Sequence, residues 1–290
     1  MRLLIGSDEH KELFCRTFME SHEGYEPAAL PWPALDDVSL ERLRALPIWN
    51  MALQAETNAG AMVTGFAATI EDPVIRNAVA LQGFEEDRHG RLIRELVERY
   101  GLNAVQRPPE LEPVESQFIH FGYRECLDSF FGFGIFRIAQ ETEFMQGSLI
   151  ALFTRVLWEE ARHIVFFVNW LAYERVRRGY GSALAQAVAT AIGYIRALFD
   201  MVASGKQMAQ SASEPNAGQQ ADRQAKGAVL PGLSLLSLLS ACLSENDRLM
   251  ARFDERLLRP RVMPALARAV VETANAGLSL RAAVISRASQ

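Results

Sequence analysis

The sequence predicts an all-α protein, and two observations lead to that fold class. Apolar residues recur at intervals of three and four through most of the 290 residues, the spacing that places side chains on one face of an α-helix. Val, Ile and Thr never alternate with polar residues between turn signals, as they would in a half-buried strand. A chain of this length can bury a substantial core.

Each helical segment is bounded by residues that begin or end helices. An N-terminal arm carries a short helix near 8–20, a proline-rich connection and a second helix start at Asp37. Helix one is expected at 47–70. Helix two is expected from Pro73, a favourable first residue, to Gly101, which can take the left-handed conformation that ends helices.

The second half divides at a change of composition. Residues 103–113 carry three prolines and predict a crossover before helix three, which begins near 115; helix four ends near 178 and a fifth helix spans 182–210. Residues 211–228 are rich in Ser, Ala, Gln, Asn and Gly and predict a flexible linker. The expected units are therefore 1–210, this linker, and a helical hairpin over 229–290 that packs on the first unit, with helices near 233–258 and 264–286.

Composition excludes several classes of protein. The 35 acidic and 30 basic residues are interspersed, giving a net charge of -5 without the basic stripe that neutralises phosphates, so no nucleic-acid partner is expected. The three cysteines form no Cys-x-x-Cys spacing, so neither a disulfide framework nor a zinc ribbon is expected, and a cytoplasmic location fits. The most apolar segments are interrupted by Pro231 or by Arg196 and Asp200, so we expect no transmembrane helix and no membrane partner.

A pentad of carboxylates and imidazole occurs twice, as Glu-Glu-Asp-Arg-His at 85–89 and as Glu-Glu-Ala-Arg-His at 159–163. Residues three apart share a helix face, so Glu86 with His89 can reach one ion, and Glu160 with His163 can do the same. A solvated charged face is the alternative reading.

Helical phase places both motifs inward. On helix two the line through the motif is otherwise apolar, while the charged residues Arg88, Arg91, Glu95 and Glu98 fall away from it. Helix four has the same pattern, with Val156, Leu157, Ile164 and Phe167 beside its motif. Buried carboxylates are costly without partners, so inward glutamates require a cation or a proton.

Two further glutamates fit the same level. Glu56 interrupts an apolar stripe on helix one and lies as far from the turn at Glu71 as Glu86 does. On helix three, Glu125 matches Glu160 if the turn lies near residues 142–143. Each residue of misregister displaces a ligand by about 1.5 Å. Glu141 and Glu143 are the alternatives; they need a turn inside the apolar run 149–153, and Gly147-Ser148 is a competing turn.

The set of six resembles the ligands of the ferritin-like di-iron carboxylate superfamily: Glu56, Glu86, His89, Glu125, Glu160 and His163. The resemblance covers about residues 47–179 and is closest to the branch of ribonucleotide reductase small subunits and oxidases. It implies a ferritin-like four-helix bundle, to which the N- and C-terminal helices predicted from the sequence pattern are additional. It also implies that Glu86 and Glu160 bridge two metals, one completed by Glu56 with His89 and the other by Glu125 with His163.

One departure restricts the function that the resemblance implies. Ile93 stands where the reductase small subunit has its radical tyrosine, so radical storage is not expected. The additional helices also distinguish this chain from a ferritin cage subunit, which is a bare bundle. The implied function is a non-haem di-iron oxidoreductase that activates dioxygen, with either two iron ions or one manganese and one iron. An apolar organic substrate and an electron donor are the expected partners, and the chain could form a homodimer. The rivals are a ferroxidase or metal-handling protein and a purely structural bundle whose acids are protonated or ion-paired.

Two weaker signals have two readings each. Glu85 and Glu159 orient the histidines or form ion pairs with Arg88 and Arg162. Glycines inside the helices either open an apolar channel beside nearby phenylalanines or let helices pack closely, at a cost of about 1 kcal/mol each in helix stability. These glycines are Gly60, Gly65, Gly122, Gly132 and Gly134.

Overall fold

The computed structural model describes residues 3–180, 182–211 and 234–288, with the side chains of 207–211 and 277–288 left undescribed. Within these ranges it contains helices and no strand, which confirms the all-α prediction. The elements are α1 (Asp8–Glu20), a 3-10 turn (Pro27–Ala29), α2 (Asp37–Ala45), α3 (Trp49–Ala67), α4 (Pro73–Tyr100), α5 (Glu115–Glu141), α6 (Gly147–Arg177), α7 (Ala183–Ser211), α8 (Leu235–Met250) and α9 (Val262–Ala288).

Local chemistry explains where the long helices begin and end. The Asp72 carboxylate accepts the backbone N–H groups of Val74 and Ile75, and Pro73 occupies the first turn of α4. Gly101 ends α4 at φ 60°, in the left-handed region. The turn between α3 and α4 therefore lies where the sequence predicted it.

The connection between α5 and α6 determines which acid of α5 can reach α6. It spans residues 142–146, and Arg42 of α2 donates a hydrogen bond of 2.9 Å to the Phe144 carbonyl. Gly147 is the first residue of α6, so the competing turn at Gly147-Ser148 is absent. The register is consequently the one that brings Glu125 toward α6.

Four long helices pack in a ring, in which α3 contacts α4 and α5, and α6 contacts α4 and α5. Their core consists of two apolar clusters. One includes Met62, Val79 and Ile164, and the other includes Leu53, Ile93, Leu96 and Leu152. On α3 and α4 the predicted ligands lie between the residues of these two clusters, so a polar layer interrupts the core.

The remaining helices cover this ring. α1 packs on α4 and α6, while α8 packs on α5 and α9, and Cys242 of α8 closely approaches Gly134 of α5. The helix expected near 233–258 ends at Met250 instead, because residues 251–261 turn around Arg259, whose guanidinium donates to the carbonyls of Met250 and Phe253. Apart from Ser211, which ends α7, the predicted linker 211–228 lies outside the described residues.

One segment of the described chain, Ala183–Lys206 of α7, is long and apolar enough to cross a membrane by length and composition. Only 11% of its most apolar window is buried in the protein. The sequence predicted no such helix because Arg196 and Asp200 interrupt the segment. Length and composition alone make the segment a weak candidate for a membrane span.

Candidate metal centre

The structure brings all six predicted ligands together from four helices. α3 supplies Glu56, α5 supplies Glu125, and α4 and α6 supply one Glu-x-x-His pair each. Two groups hold potential ligand atoms within 4.8 Å of one another. They are Glu56, Glu86 and His89 on one side, and Glu86, Glu125 and His163 on the other. Glu86 belongs to both groups.

Glu86 and Glu160 each present one oxygen to each histidine. The Glu86 oxygens lie 3.7 Å from His89 Nδ1 and 3.0 Å from His163 Nδ1. Those of Glu160 lie 3.2 Å and 3.8 Å from the same two nitrogens. Glu56 Oε2 lies 3.6 Å from His89 Nδ1 only. The arrangement offers two neighbouring cation positions that share two carboxylates.

The two imidazoles are held by their other nitrogen. His89 Nε2 lies 2.8 Å from Glu159 Oε2, and His163 Nε2 lies 2.9 Å from Glu85 Oε2. Both Nδ1 atoms are buried and make no hydrogen bond. A buried nitrogen without a partner is destabilising, and a metal ion at the shared carboxylates would provide one. The donor set of carboxylates and imidazoles suits iron, manganese and zinc.

Buried arginines contact Glu85 and Glu159, the two glutamates that hold the imidazoles, in a reciprocal arrangement. Arg88 of α4 donates 2.6 Å to Glu159 of α6, and Arg162 of α6 donates 2.7 Å to Glu85 of α4. Both interpretations of these glutamates therefore hold, since each contacts the histidine of the opposite pentad and accepts a hydrogen bond from an arginine. Because the residue number rises along α4 as its partner's falls along α6, the two helices are antiparallel.

Arg88 was expected on the outward face of helix two, and this expectation is wrong. Its side chain is 1% exposed, since it lies under the N-terminal arm as well as against α6. The Arg88 guanidinium donates to the Glu23 carbonyl and stacks 4.0 Å over the ring of Tyr25. The Tyr25 hydroxyl in turn donates to Glu159, at 3.3 Å.

The arm covers the other arginine in the same way. Arg162 donates to Ser21 Oγ at 2.8 Å and lies over the ring of Phe18, while His22 Nδ1 lies 2.5 Å from Glu85. The sequence assigned no role to Ser21, His22 or Tyr25. The pentads contained one signal that could have predicted these contacts. Each has an arginine next to the buried histidine, and a buried arginine needs acceptors from outside its own helix.

Burial and mutual charge control protonation of the metal-free cluster. Burial raises the pKa of Glu56 to about 7 and, together with neighbouring Glu160, holds the pKa of Glu125 well above its usual range. Although burial opposes it, the contacts of Glu160 with Glu125 and with the two histidines hold its pKa well below the usual range. Burial lowers the pKa of His89, but the surrounding carboxylates, first Glu159, outweigh it and raise that pKa. Protons therefore occupy the cluster when metal does not.

The two alternatives to Glu125 lie elsewhere. Glu141 is 57% exposed at the end of α5 and pairs with Arg137 on the surface. Glu143 is an exposed turn residue at φ 49°. Neither lies in the groups of potential ligands around Glu86, whereas Glu125 does.

Most of the candidate channel glycines pack against neighbouring chain. A Cβ on Gly60 would lie 3.0 Å from the backbone nitrogen of Asp87, and side chains of Pro113 and Phe167 occupy the space beside Gly65 and Gly122. The channel reading is wrong at these three positions. At Gly132, by contrast, no atom lies within 4 Å of an added Cβ.

Solvent reaches the candidate centre more easily at Glu56 and Glu160 than at Glu86 or either histidine. The side chain of Glu56 is 22% exposed and that of Glu160 14%, while Glu86 and both histidines are fully buried. Gly132 and Leu157, on the ligand-bearing faces of α5 and α6, are also partly exposed. A separate cavity of about 530 Å³ lies at the end of the ring, lined by residues such as Phe66 and Trp170, and none of the six candidate ligands lines it.

Comparisons with protein-family models, with curated proteins and with solved structures return no match to this chain.

Proposed function

We propose that α3 to α6 form a ferritin-like four-helix bundle that holds two iron ions, and that the protein is a non-haem di-iron oxidoreductase that activates dioxygen. The observation that carries this proposal is the pair of carboxylates, Glu86 and Glu160, each of which presents one oxygen to each unpartnered histidine nitrogen. A structural ion-pair network has no need for two buried imidazole nitrogens that face the same carboxylates without hydrogen bonds.

Two iron ions bound in such a site would supply electrons for the reduction of dioxygen. Glu86 and Glu160 would hold the two cations close together, and Glu85 and Glu159 would fix the orientation of both imidazoles. The apolar clusters on either side exclude water and so strengthen the electrostatic contacts within the layer.

We propose a small apolar compound as the substrate. Leu157 and Gly132 support this proposal, because they are partly exposed positions without charge that lie one turn from Glu160 and two turns from Glu125 on the same helix faces. An electron donor would be a further partner in the reaction.

A ferroxidase without an organic substrate is the second candidate, and the glycines favour it. Close packing at Gly60, Gly65 and Gly122 leaves little room for a substrate beside the cluster. Iron and dioxygen alone need only the opening beside Glu56 and Glu160.

The test is anaerobic loading with ferrous iron, followed by elemental analysis and then exposure to dioxygen. We expect about two iron ions per chain and oxygen consumption with a change in the iron absorption spectrum. Glu86→Ala and Glu160→Ala should each lose both ions because the carboxylates are shared, whereas Glu141→Ala should retain them. Absence of iron in the loaded protein would favour the structural reading, and multi-turnover iron oxidation with mineral formation would favour the ferroxidase.

A further inference from the structure

α7 carries its apolar side chains on the outside. We define the α7 stripe by its exposed apolar members: Leu184, Val188, Ile192, Ile195, Leu198, Phe199 and Val202. Their exposed fractions run from 46% to 76%. At helical spacing these residues occupy one continuous face. A helix on the surface of a monomer has the opposite polarity, with its apolar face turned inward.

The inner face of α7 carries small or polar residues and the ring of Tyr194, which packs on Tyr123 with ring centroids 5.1 Å apart. Ala197 is fully buried, Gly193 lies against the ring of Tyr123, and Thr190 accepts a hydrogen bond of 2.8 Å from Arg175 of α6. Near the other end, Asp200 pairs with His120 of α5 at 2.7 Å. These contacts from α5 and α6 hold α7 in the orientation that exposes the stripe.

We propose that the α7 stripe is the interface with a second copy of this chain, so that two α7 helices pair in a homodimer. The spacing that supports the pairing runs four, three, four, three, four along Leu184, Val188, Ala191, Ile195, Leu198 and Val202. This is the heptad spacing at which two helices pack side by side. The alternate positions carry β-branched Val188, Ile195 and Val202, and two of the three others carry leucine, a combination that favours two-stranded pairing.

The exposed area also matches a dimer. From the exposed fractions, the stripe presents on the order of 700 Å² of apolar surface on each copy, close to the roughly 800 Å² per partner of a stable interface. A monomer seldom leaves a continuous apolar patch of that size in water. Because both copies offer the same face, the contact closes at two chains rather than growing into a filament.

A membrane is the less favoured occupant. α7 has the length and composition of a membrane-spanning segment, but spanning would require its charged Arg196 and Asp200 to enter the bilayer and its contacts with Tyr123 and Arg175 to break. Binding at the surface of an anionic membrane is opposed by the net charge of -5. A second copy covers the stripe without disturbing either set of contacts.

Sedimentation equilibrium of the purified full-length chain tests the proposal, with Ile195→Asp and Val188→Asp as stripe variants. Ala189→Asp is the matched control, since it adds the same charge to an exposed site of α7 outside the stripe. We expect twice the chain mass of 32.3 kDa for the wild type and for Ala189→Asp. The stripe variants should be monomeric, with the dissociation constant of the dimer raised at least tenfold and helix content by circular dichroism unchanged.

Two controls separate the other occupants. Flotation with vesicles of neutral and anionic lipid is measured in parallel, and a variant lacking residues 212–230 tests whether that segment covers the stripe. A monomeric wild type overturns the proposal. If that monomer floats with vesicles, a membrane covers the stripe instead. If only the deletion variant dimerises, residues 212–230 cover it. A dimer that survives both stripe substitutions also overturns it. Because the readout is mass, its failure says nothing about the metal centre.

Discussion

At the residue scale, the candidate centre depends on residues outside the six candidate ligands. Glu85 and Glu159 each contact the imidazole of the opposite pentad and accept from a buried guanidinium, so their carboxylates fix which imidazole nitrogen faces the candidate ligands. A carboxylate has acceptor capacity for both donors, whereas an amide has a single oxygen. This difference makes the outer glutamates testable without removing a ligand.

We expect Glu159→Gln to weaken iron binding about 10- to 100-fold, because the amide group would face Arg88 or His89 with a donor and release one of them. Competition with a coloured chelator measures the affinity. Asp87→Asn is the control, since Asp87 belongs to the same pentad but is 66% exposed. Equal affinities for the wild type and Glu159→Gln would mean that His89 is held by packing alone.

A second prediction concerns the pH dependence of the metal-free protein. The pKa of Glu56 is about 7 in the folded chain and 4.5 ordinarily, so protonated Glu56 contributes stability that is fully present below pH 4.5 and lost as the pH rises through 7. Between pH 5 and 8 this loss amounts to roughly 3 kcal/mol at most. Chemical denaturation at several pH values should show a shallower decline for Glu56→Gln. A decline identical to the wild type would contradict the burial of this carboxyl.

The same protonation opposes metal binding. Loading must displace protons from the imidazoles and from Glu56 and Glu125, whose pKa values are raised. Iron affinity should therefore fall as the pH drops from 8 to 6, with proton release on loading. Calorimetry in two buffers of different ionisation enthalpy measures that release, and heats that do not depend on the buffer would refute it.

At the element scale, each glycine has a different reason to be in its helix. Gly60 lets α3 approach the backbone of α4 at Asp87, while Gly132 of α5 faces open space. A methyl group at Gly132 therefore meets no obstacle and removes the entropic cost of glycine in a helix.

We expect Gly132→Ala to stabilise the protein by about 0.5–1 kcal/mol. Gly60→Ala should destabilise it by about 1–3 kcal/mol, because the added methyl forces α3 away from α4. Urea denaturation of both variants provides the comparison, each serving as the control for the other. Stabilisation by Gly60→Ala would show that this part of the bundle has room to spare.

At the scale of the whole molecule, the candidate centre and the α7 stripe are independent features of one chain. All six candidate ligands come from α3 to α6, and the stripe lies on α7, outside that ring. Ile195→Asp should therefore retain about two iron ions per chain while it abolishes the dimer. Elemental analysis of the monomeric fraction checks this, and loss of iron on dissociation would place part of the site between copies.

The sequence by itself determined the features that depend on residues close together in the chain. Periodicity predicted the helices, Pro73 and Gly101 predicted the ends of α4, and the repeated pentad with its phase predicted that the candidate ligands face inward. These signals are local, because one or two turns of helix are enough to define a face or a cap.

Tertiary structure decided everything that depends on which face meets which neighbour. Arg88 and the exposed side of α7 show this, since each contradicts the pattern of its own helix. A charged side chain can be buried when the arm and α6 supply acceptors, and an apolar face can lie outward when other residues of the same helix, Tyr194 among them, make the inner contacts. For the same reason, the sequence did not decide whether Gly60 and Gly132 open a channel or allow close helix packing. A glycine in the sequence shows only that a side chain is absent. The position of the neighbouring helix decides whether the space beside the glycine is filled.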